Sequence, residues 1–280
     1  MQVVHTIKEV GQIIEAQKQQ GKSVGFVPTM GALHEGHLTL VRKAAHDNDF
    51  AVVSIFVNPI QFNNKEDLEK YPRTLEKDVA LLETTGCALV FAPSVEEMYP
   101  QEDKTEFDFG ELDKVMEGKF RPGHFNGVAI VVKKLFDIVK PDKAYFGEKD
   151  FQQVAIIRSM IKQKNMPVEI IAHPIVREAD GLAMSSRNAR LTPEERENAI
   201  AIHDALINVK DSYAWFTPEG VAVKVAGEIE ENPYFRVEYV EVVDTETLQP
   251  IEEWIDSPHA VVCVAAFIGK VRLIDNIVLY

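Results

Sequence analysis

Two histidines, His34 and His37, are the residues near the start of the chain best suited to chemistry, and they lie in the stretch PTMGALHEGH. A β-like run precedes this stretch and an amphipathic helical pattern follows it, so both histidines lie at a predicted helix start. Backbone N–H groups and the helix dipole make such a start an anion site, where histidine donors can stabilise charge developing in a transition state. The pattern favours phosphate chemistry over zinc, because zinc helices space their histidines four residues apart and no third ligand is obvious.

Further polar residues follow other predicted strands or precede predicted helices. Asn58 and Gln61, in VNPIQF, offer neutral donors and acceptors, although an ordinary polar turn would look the same. Tyr71 lies in YPRT, and Asp78, four residues into the next predicted helix, is either a solvated carboxylate or a residue that holds Mg²⁺ near phosphates. Arg121 precedes a helix in RPGHF, which is either a loop with a cation or a simple helix cap.

Two later motifs add cations. GEKDFQQ repeats the strand–glycine–helix pattern of the first motif and places Lys149 at the level of a phosphate. Asp150 is either part of that site or a helix cap, and Gln153 follows one turn later. MSSRN supplies two hydroxyls and Arg187, which fit triphosphate binding through charge-assisted hydrogen bonds, although a serine-rich linker has the same composition.

Strand and helix patterns alternate over the first 175 residues, which predicts an α/β fold with a parallel, doubly wound, Rossmann-like sheet. The predicted strands are 23–27, 50–57, 88–92, 143–147 and 168–173. The predicted helices are 7–20, 36–48, 74–85, 125–139 and 150–163. Ligands bind beyond the carboxyl ends of such strands, where these polar motifs lie.

The pattern changes after residue 176. Predicted helices at 193–209 and 218–231 precede three strand-like runs at 235–243, 259–267 and 271–278. We therefore predict two domains, a Rossmann-like nucleotide-binding domain over 1–175 and a smaller C-terminal α+β domain over 176–280. The MSSRN loop follows the predicted boundary and could close over a bound nucleotide.

Composition limits the classes of partner. The net charge of −14 argues against binding to nucleic acid or to an anionic membrane surface. Cys87 and Cys263 each lie in an apolar run and are predicted to be buried free thiols, which suits a reducing cytosol. The start of the chain has no signal-peptide pattern, and the longest apolar run, 260–268, is too short to span a bilayer. We expect a cytoplasmic protein.

In this order and spacing, PTMGALHEGH, VNPIQF, YPRT, RPGHF, GEKDFQQ and MSSRN resemble the pantothenate synthetase (pantoate–β-alanine ligase) family. The HxGH element alone marks a broader superfamily of nucleotidyl transferases and class I aminoacyl-tRNA synthetases. The resemblance implies an AMP-forming ligase. Pantoate would attack the α-phosphorus of ATP with Mg²⁺, and the amine of β-alanine would then displace AMP from pantoyl adenylate. It also implies a homodimer whose smaller domain is a lid.

The resemblance further implies the roles of individual residues. The implied catalytic residues are His34, His37, Lys149 and Arg187. The implied ATP-binding residues are Pro28, Met30, His34, His37, Gly147, Lys149, Asp150, Val176, Met184, Ser185, Ser186 and Arg187. The implied pantoate-binding residues are Gln61 and Gln153, with Asn58, Tyr71 and Arg121 in support. Asp78 matches a magnesium-associated aspartate, although its neighbour Lys77 departs from the acidic residue sometimes found there.

Three other interpretations remain. A nucleotidyl transferase acting on a phosphorylated alcohol would share HxGH but would need further cations, and the paired glutamines favour an unphosphorylated substrate. A tRNA-binding synthetase relative conflicts with the short length and the −14 charge. A catalytically inert nucleotide sensor conflicts with the presence of all four implied catalytic residues.

Overall fold

The computed structural model describes residues 1–280 and divides into two compact units. The first unit comprises Met1–Phe109, Arg121–Glu148 and Gln153–Pro174. The second unit comprises Gly110–Phe120, Lys149–Gln152 and Ile175–Tyr280. The domains expected over 1–175 and 176–280 stay a prediction. Two short segments of the first range, Gly110–Phe120 and Lys149–Gln152, cluster with the second unit.

A six-stranded parallel sheet forms the centre of the first unit. Its strands are β1 (Gln2–Val4), β2 (Val24–Thr29), β3 (Phe50–Ile55), β4 (Leu89–Phe91), β5 (Lys143–Gly147) and β6 (Glu169–His173). Their spatial order is β1-β4-β3-β2-β5-β6, and every pair is parallel. The predicted doubly wound α/β fold is therefore confirmed. The short edge strand β1 was missed, because three residues are too few to show a period.

Helices cover both faces of this sheet. They are α1 (Ile7–Gln19), α2 (Glu35–Asp47), α3 (Lys65–Lys70), α4 (Leu75–Leu82), α5 (Val95–Met98), α7 (His124–Val139) and α8 (Phe151–Lys164). Val27 packs in one core with Leu38 and Val41 of α2, whereas the next residue back, Phe26, contacts Phe136 of α7. Since adjacent strand residues point to opposite faces, α2 and α7 lie on opposite sides of the sheet.

The strand order reverses between β2 and β5. From β2 the chain adds β3 and β4 on one side, and from β5 it adds β6 on the other. The β2–β5 ladder joins only Gly25 to Lys143 and Phe26 to Ala144, whereas β2 pairs with β3 along six residues. Both strands continue beyond the ladder, so this is the switch point at which ligands bind in doubly wound sheets.

The second unit has its own sheet and core. It contains α6 (Met116–Phe120), α9 (Pro193–Asn198), α10 (Ala201–Lys210), α11 (Pro218–Glu230), β7 (Phe235–Asp244), β8 (Ala260–Ile268) and β9 (Val271–Val278). The three strands form an antiparallel sheet in the order β7-β8-β9, as expected for a small α+β unit. Its core includes Leu206, Val225 and Val262, which are 0% exposed.

The predicted helix over 193–209 is two helices in the structure. Thr192 caps α9 with a capping box, in which its hydroxyl accepts from the backbone of Glu195. That helix ends at Asn198, and α10 starts at Ala201. Helix α9 is polar and has no buried residue, so apolar periodicity did not mark where it ends.

Other properties follow the sequence. Cys87 and Cys263 are buried free thiols, and burial raises the pKa of Cys87 to about 11. No helix in the structure is both long enough and apolar enough to cross a membrane.

Candidate active site

The turn between β2 and α2 has an unusual backbone. Gly31 and Ala32 adopt positive φ angles of 82° and 50°, the left-handed conformation that favours glycine. Thr29 holds the entry to the turn, since its hydroxyl donates to the carbonyl of Ser54 at 2.8 Å and accepts from the amide of Gly31 at 3.2 Å. A Cβ on Gly31 would lie 3.0 Å from an oxygen of Asp78, so the turn has little room for a side chain there.

Asp78 is the carboxylate beneath this turn. Its Oδ1 accepts from the amide of Leu33 at 2.8 Å, and its Oδ2 accepts from the amide of Ala32 at 3.0 Å and from the hydroxyl of Thr74 at 3.2 Å. The residue is 1% exposed. A buried carboxylate that accepts two backbone amides stabilises the conformation of the turn that leads to His34.

The predicted magnesium role does not fit this environment. Mg²⁺ requires an octahedral set of oxygens and usually retains several waters, whereas the oxygens of Asp78 face protein donors in a buried position. No group of three or more His, Cys, Asp and Glu residues could hold a metal ion in the structure. In the structure Asp78 holds the turn through its hydrogen bonds, and its association with magnesium stays a prediction.

His34 and His37 lie where the sequence placed them, at the start of α2. His34 is the N-cap in an extended conformation, and its amide donates to Nδ1 of His37 at 3.3 Å. The two ring centroids are 4.1 Å apart. Because Nδ1 of His37 accepts, a neutral His37 carries its proton on Nε2 and can donate from that atom. The pair therefore adds a side-chain donor to the amides of a helix N-terminus.

Asn58, Gln61 and Met30 form a second polar group in the same unit. Asn58 is 1% exposed, and its Nδ2 donates to Oε1 of Gln61 at 3.0 Å and to the carbonyl of Gly127 at 3.1 Å. Nε2 of Gln61 lies 3.1 Å from the sulfur of Met30. The structure thus joins a predicted ATP-binding residue to two predicted pantoate-binding residues.

The remaining predicted residues of the first unit occupy separate elements. Pro28 lies in β2, and Gly147 ends β5 with no atom within 4 Å of the place a Cβ would occupy, so space is open at that strand end. Tyr71 is buried at the end of α3, and its ring contacts that of Phe62 at 5.7 Å. Arg121 precedes α7, and Gln153 lies in α8 without a hydrogen bond to Asn58 or Gln61.

Lys149 and Asp150 belong to the second unit. The ammonium of Lys149 lies 3.3 Å from the carboxylate of Asp150, and the Lys149 side chain is 17% exposed. Nδ2 of Asn276, in β9, donates to the backbone carbonyl of Lys149 at 3.1 Å. The cation is therefore held at two points, through its ion pair and through its own backbone.

The MSSRN segment is an ordered turn within the second unit. Ser185 caps a 3-10 helix over Ser186–Arg190, and its hydroxyl accepts from the amide of Arg187 at 3.2 Å. The amide of Met184 donates to the carbonyl of Val176 at 3.0 Å, so these two predicted ATP-site residues are joined. Since the Ser185 oxygen accepts, its own proton stays available for a ligand.

Sequence reasoning missed the residues that hold these groups. Arg177 forms a two-point ion pair with Asp275, at 2.6 and 3.0 Å, and thereby braces the segment that leads to MSSRN. Tyr99 donates to Oδ1 of Asn58 at 2.9 Å. Each partner is remote in sequence, and no local motif marks it.

Known proteins resemble the whole chain. The sequence model described as pantoate-beta-alanine ligase matches residues 2–278. Curated relatives named pantothenate synthetase include that of Bacteroides thetaiotaomicron, 56% identical over 277 residues, covering 99% of this chain and 98% of the relative. Another is from Fervidobacterium nodosum, 51% identical over 280 residues, covering 100% and 99%.

Solved structures agree with these relatives. The pantothenate synthetase of Thermus thermophilus superposes with a TM-score of 0.93 at 43% identity, covering 100% of both chains. The pantoate-beta-alanine ligase of Francisella tularensis, solved in complex with beta-gamma ATP and beta-alanine, has a TM-score of 0.84 at 35% identity, covering 100% of this chain and 98% of its own. With matches along its full length, the chain is an enzyme of the pantoate–β-alanine ligase family.

Proposed function

We propose that the chain joins pantoate to β-alanine in two steps through a pantoyl-adenylate intermediate, with AMP and pyrophosphate as products. The family membership supports the overall ligation, and the Francisella relative was solved in complex with beta-gamma ATP and beta-alanine. ATP enters as its Mg²⁺ complex, whose phosphates and waters supply metal ligands. No carboxylate of this chain is assigned to the metal.

The observation that carries the proposal is the histidine pair at the N-terminus of α2. In the first step, a carboxylate oxygen of pantoate attacks the α-phosphorus of ATP, and the bond to pyrophosphate breaks. Negative charge grows on the phosphoryl oxygens and on the leaving group. The helix N-terminus and Nε2–H of His37 provide donors that can stabilise this charge, and a comparable donor contributes about 3–4 kcal/mol in oxyanion sites.

The amide of Gln61 suits the acid substrate. A neutral N–H donor can orient a carboxylate or hydroxyl without neutralising the attacking oxygen. Holding the reacting groups in place accounts for several further kcal/mol of catalysis, about 7 or more in well-oriented reactions. We propose that Asn58 and Gln153 complete this binding set, with Tyr71 and Arg121 in support.

We further propose that Lys149 and Arg187, with the hydroxyls of Ser185 and Ser186, bind the phosphates of ATP. The ion pair with Asp150 already orders the ammonium of Lys149, so a bound phosphate would not have to order it. The nucleotide set also includes Pro28, Met30, Gly147, Asp150, Val176 and Met184. In the second step, the amine of β-alanine attacks the acyl carbon, and AMP leaves with the oxygen that pantoate contributed.

Pyrophosphate exchange tests the first step. Labelled pyrophosphate should enter ATP when pantoate and Mg²⁺ are present and β-alanine is absent, because adenylation is reversible. His37→Ala should slow exchange about a hundredfold, because it removes the Nε2–H donor proposed to stabilise the developing charge. His46→Ala is the matched control and should exchange normally, since His46 lies in the last turn of the same helix with 83% of its side chain exposed. Exchange that does not depend on pantoate would contradict the proposal.

We also propose that the enzyme is a cytoplasmic homodimer. The buried free thiols suit a reducing compartment, and the proposal of a dimer rests on the family resemblance. Light scattering after size-exclusion chromatography should give twice the chain mass of 31.5 kDa. A mass of one chain at micromolar concentration would contradict the dimer.

A further inference from the structure

The amide of Gln61 has a direction that its surroundings impose. An amide presents either oxygen or NH₂ to a neighbour, but a backbone carbonyl can only accept. The carbonyl of Gly127 lies 3.1 Å from Asn58, so the Asn58 atom that faces it is Nδ2. The same Nδ2 lies 3.0 Å from Gln61, which must therefore present Oε1 to it. Nε2 of Gln61 is left to face the sulfur of Met30.

Tyr99 completes this chain of hydrogen bonds. Oδ1 of Asn58 is the remaining polar atom of that side chain, and the hydroxyl of Tyr99 donates to it at 2.9 Å. Burial raises the pKa of Tyr99, and the charge of Asp103 raises it further, so the hydroxyl retains its proton at neutral pH. The ring contacts Phe56 at 6.1 Å and lies under the ammonium of Lys134 at 4.9 Å, which hold it in place.

Gly127 allows the backbone of α7 to approach the turn that carries Gln61, and the direction of the Gln61 amide depends on this approach. A Cβ at this position would lie 2.6 Å from the carbonyl oxygen of Ile60 and 2.8 Å from Cα of Gln61. The first turn of α7 therefore touches the turn that carries Gln61, and only glycine fits there. His124 tightens the same contact, since its Nδ1 lies 2.8 Å from the carbonyl of Gln61.

We propose that Tyr99 and Gly127 are positioning residues that fix Gln61 as a hydrogen-bond donor toward the acid substrate. The site then selects an oxygen that accepts a hydrogen bond, such as a carboxylate or hydroxyl oxygen, and rejects a group that can only donate. The identity of that acid as pantoate rests on the proposed function. The direction of the Gln61 amide does not.

Tyr99→Phe tests the tyrosine, because it removes the hydroxyl and keeps the ring. The variant leaves Oδ1 of buried Asn58 without its donor, and the KM for pantoate should rise about tenfold while the KM for ATP stays within about twofold. Tyr145→Phe is the matched control. It removes another buried hydroxyl, bonded to Asn48 and Asp47, and should change neither constant.

Asn58→Asp reverses the direction directly. A carboxylate accepts only, so Gln61 would have to turn its NH₂ inward and its oxygen toward the acid. The KM for pantoate should then rise about a hundredfold, well beyond the effect of Tyr99→Phe. Gly127→Ala should also raise this KM selectively, whereas Gly227→Ala, a helical glycine with nothing within 4 Å of its Cβ position, should not.

Side-chain amide exchange measured by NMR separates this inference from the proposed function. The buried Nδ2 protons of Asn58, identified by their loss in Asn58→Asp, should exchange slowly with solvent. Their exchange rate should be about tenfold higher in Tyr99→Phe and the same as in the wild type in Tyr145→Phe. If the wild type does not use pantoate but this pattern holds, the proposed function fails and the positioning role stands. Equal exchange in wild type and Tyr99→Phe, or equal rises in both KM values, would overturn the positioning role.

Discussion

Two connections from a strand to a helix carry most of the proposed nucleotide chemistry, and they differ in what holds them. The turn from β2 to α2 uses left-handed backbone at Gly31 and Ala32 above the buried carboxylate of Asp78. The connection from β5 to α8 passes from Gly147 through a 3-10 turn over Glu148–Asp150 directly into the helix. Gly147 is not left-handed, and its Cβ position is open.

The sequence pattern suggested that the second connection repeats the first, and in backbone geometry this was wrong. Both have a strand, a glycine and a helix, but the glycines meet different physical demands. Gly31 is required by its φ angle and by contact with Asp78, whereas Gly147 leaves space at a strand end. The first connection is thus built to fix donors in place, and the second is built to leave room.

Removal of the buried carboxylate should have the largest effect on this comparison. Asp78→Ala leaves two backbone amides without an acceptor, and we expect the free energy of unfolding to fall by about 3 kcal/mol. Urea unfolding measures this free energy. Asp137→Ala is the control, because that helical aspartate has 53% of its side chain exposed. Unchanged stability together with a shifted Mg²⁺ requirement would identify Asp78 as a metal ligand instead.

A smaller effect is expected from a methyl group at the first glycine. Gly31→Ala should lower the free energy of unfolding by about 1–2 kcal/mol, because φ is positive and the new Cβ meets Asp78 and Ile55. Gly21→Ala separates these causes, since Gly21 has a φ of 74° with nothing within 4 Å. Gly31→Ala should also reduce turnover about tenfold through displaced histidines, whereas Gly21→Ala should not. Equal turnover in the two variants would contradict a positioning role for the turn.

The smallest change in stability is expected at the second glycine. Gly147→Ala should leave the free energy of unfolding within about 0.5 kcal/mol of the wild-type value, because its methyl group enters open space. The KM for ATP should nevertheless rise about tenfold if the nucleotide uses that space. Destabilisation as large as that of Gly31→Ala would remove the difference between the two connections.

Much of the fold could be predicted because its elements leave local signals. Buried strands such as Phe50–Ile55 show a nearly continuous apolar run, and the alternation of strands with helices indicated the parallel sheet. The break between α9 and α10 left no such signal, because α9 is a polar helix with no buried residue and the apolar face belongs to α10. The three-residue strand β1 is specified by pairing with β4 rather than by its own pattern.

The candidate site was predictable only where it is contiguous in sequence. His34 and His37 lie at a helix start that the motif itself defines. The donors and acceptors that orient the site are remote, as with Tyr99 for Asn58 and Asp275 for Arg177. Asp78 was singled out, but its hydrogen bonds to the amides of Ala32 and Leu33 were not predicted, because a sequence does not show which backbone amides a carboxylate meets.

Transfer of oxygen-18 from the carboxylate of pantoate tests the central claim most directly. The enzyme would be supplied with ATP, Mg²⁺, β-alanine and pantoate labelled at both carboxylate oxygens. Mass spectrometry would then measure the label in each product. Attack of the carboxylate on the α-phosphorus predicts one labelled oxygen in each AMP and none in pyrophosphate. Unlabelled AMP, or label in inorganic phosphate beside ADP, would contradict a pantoyl-adenylate intermediate.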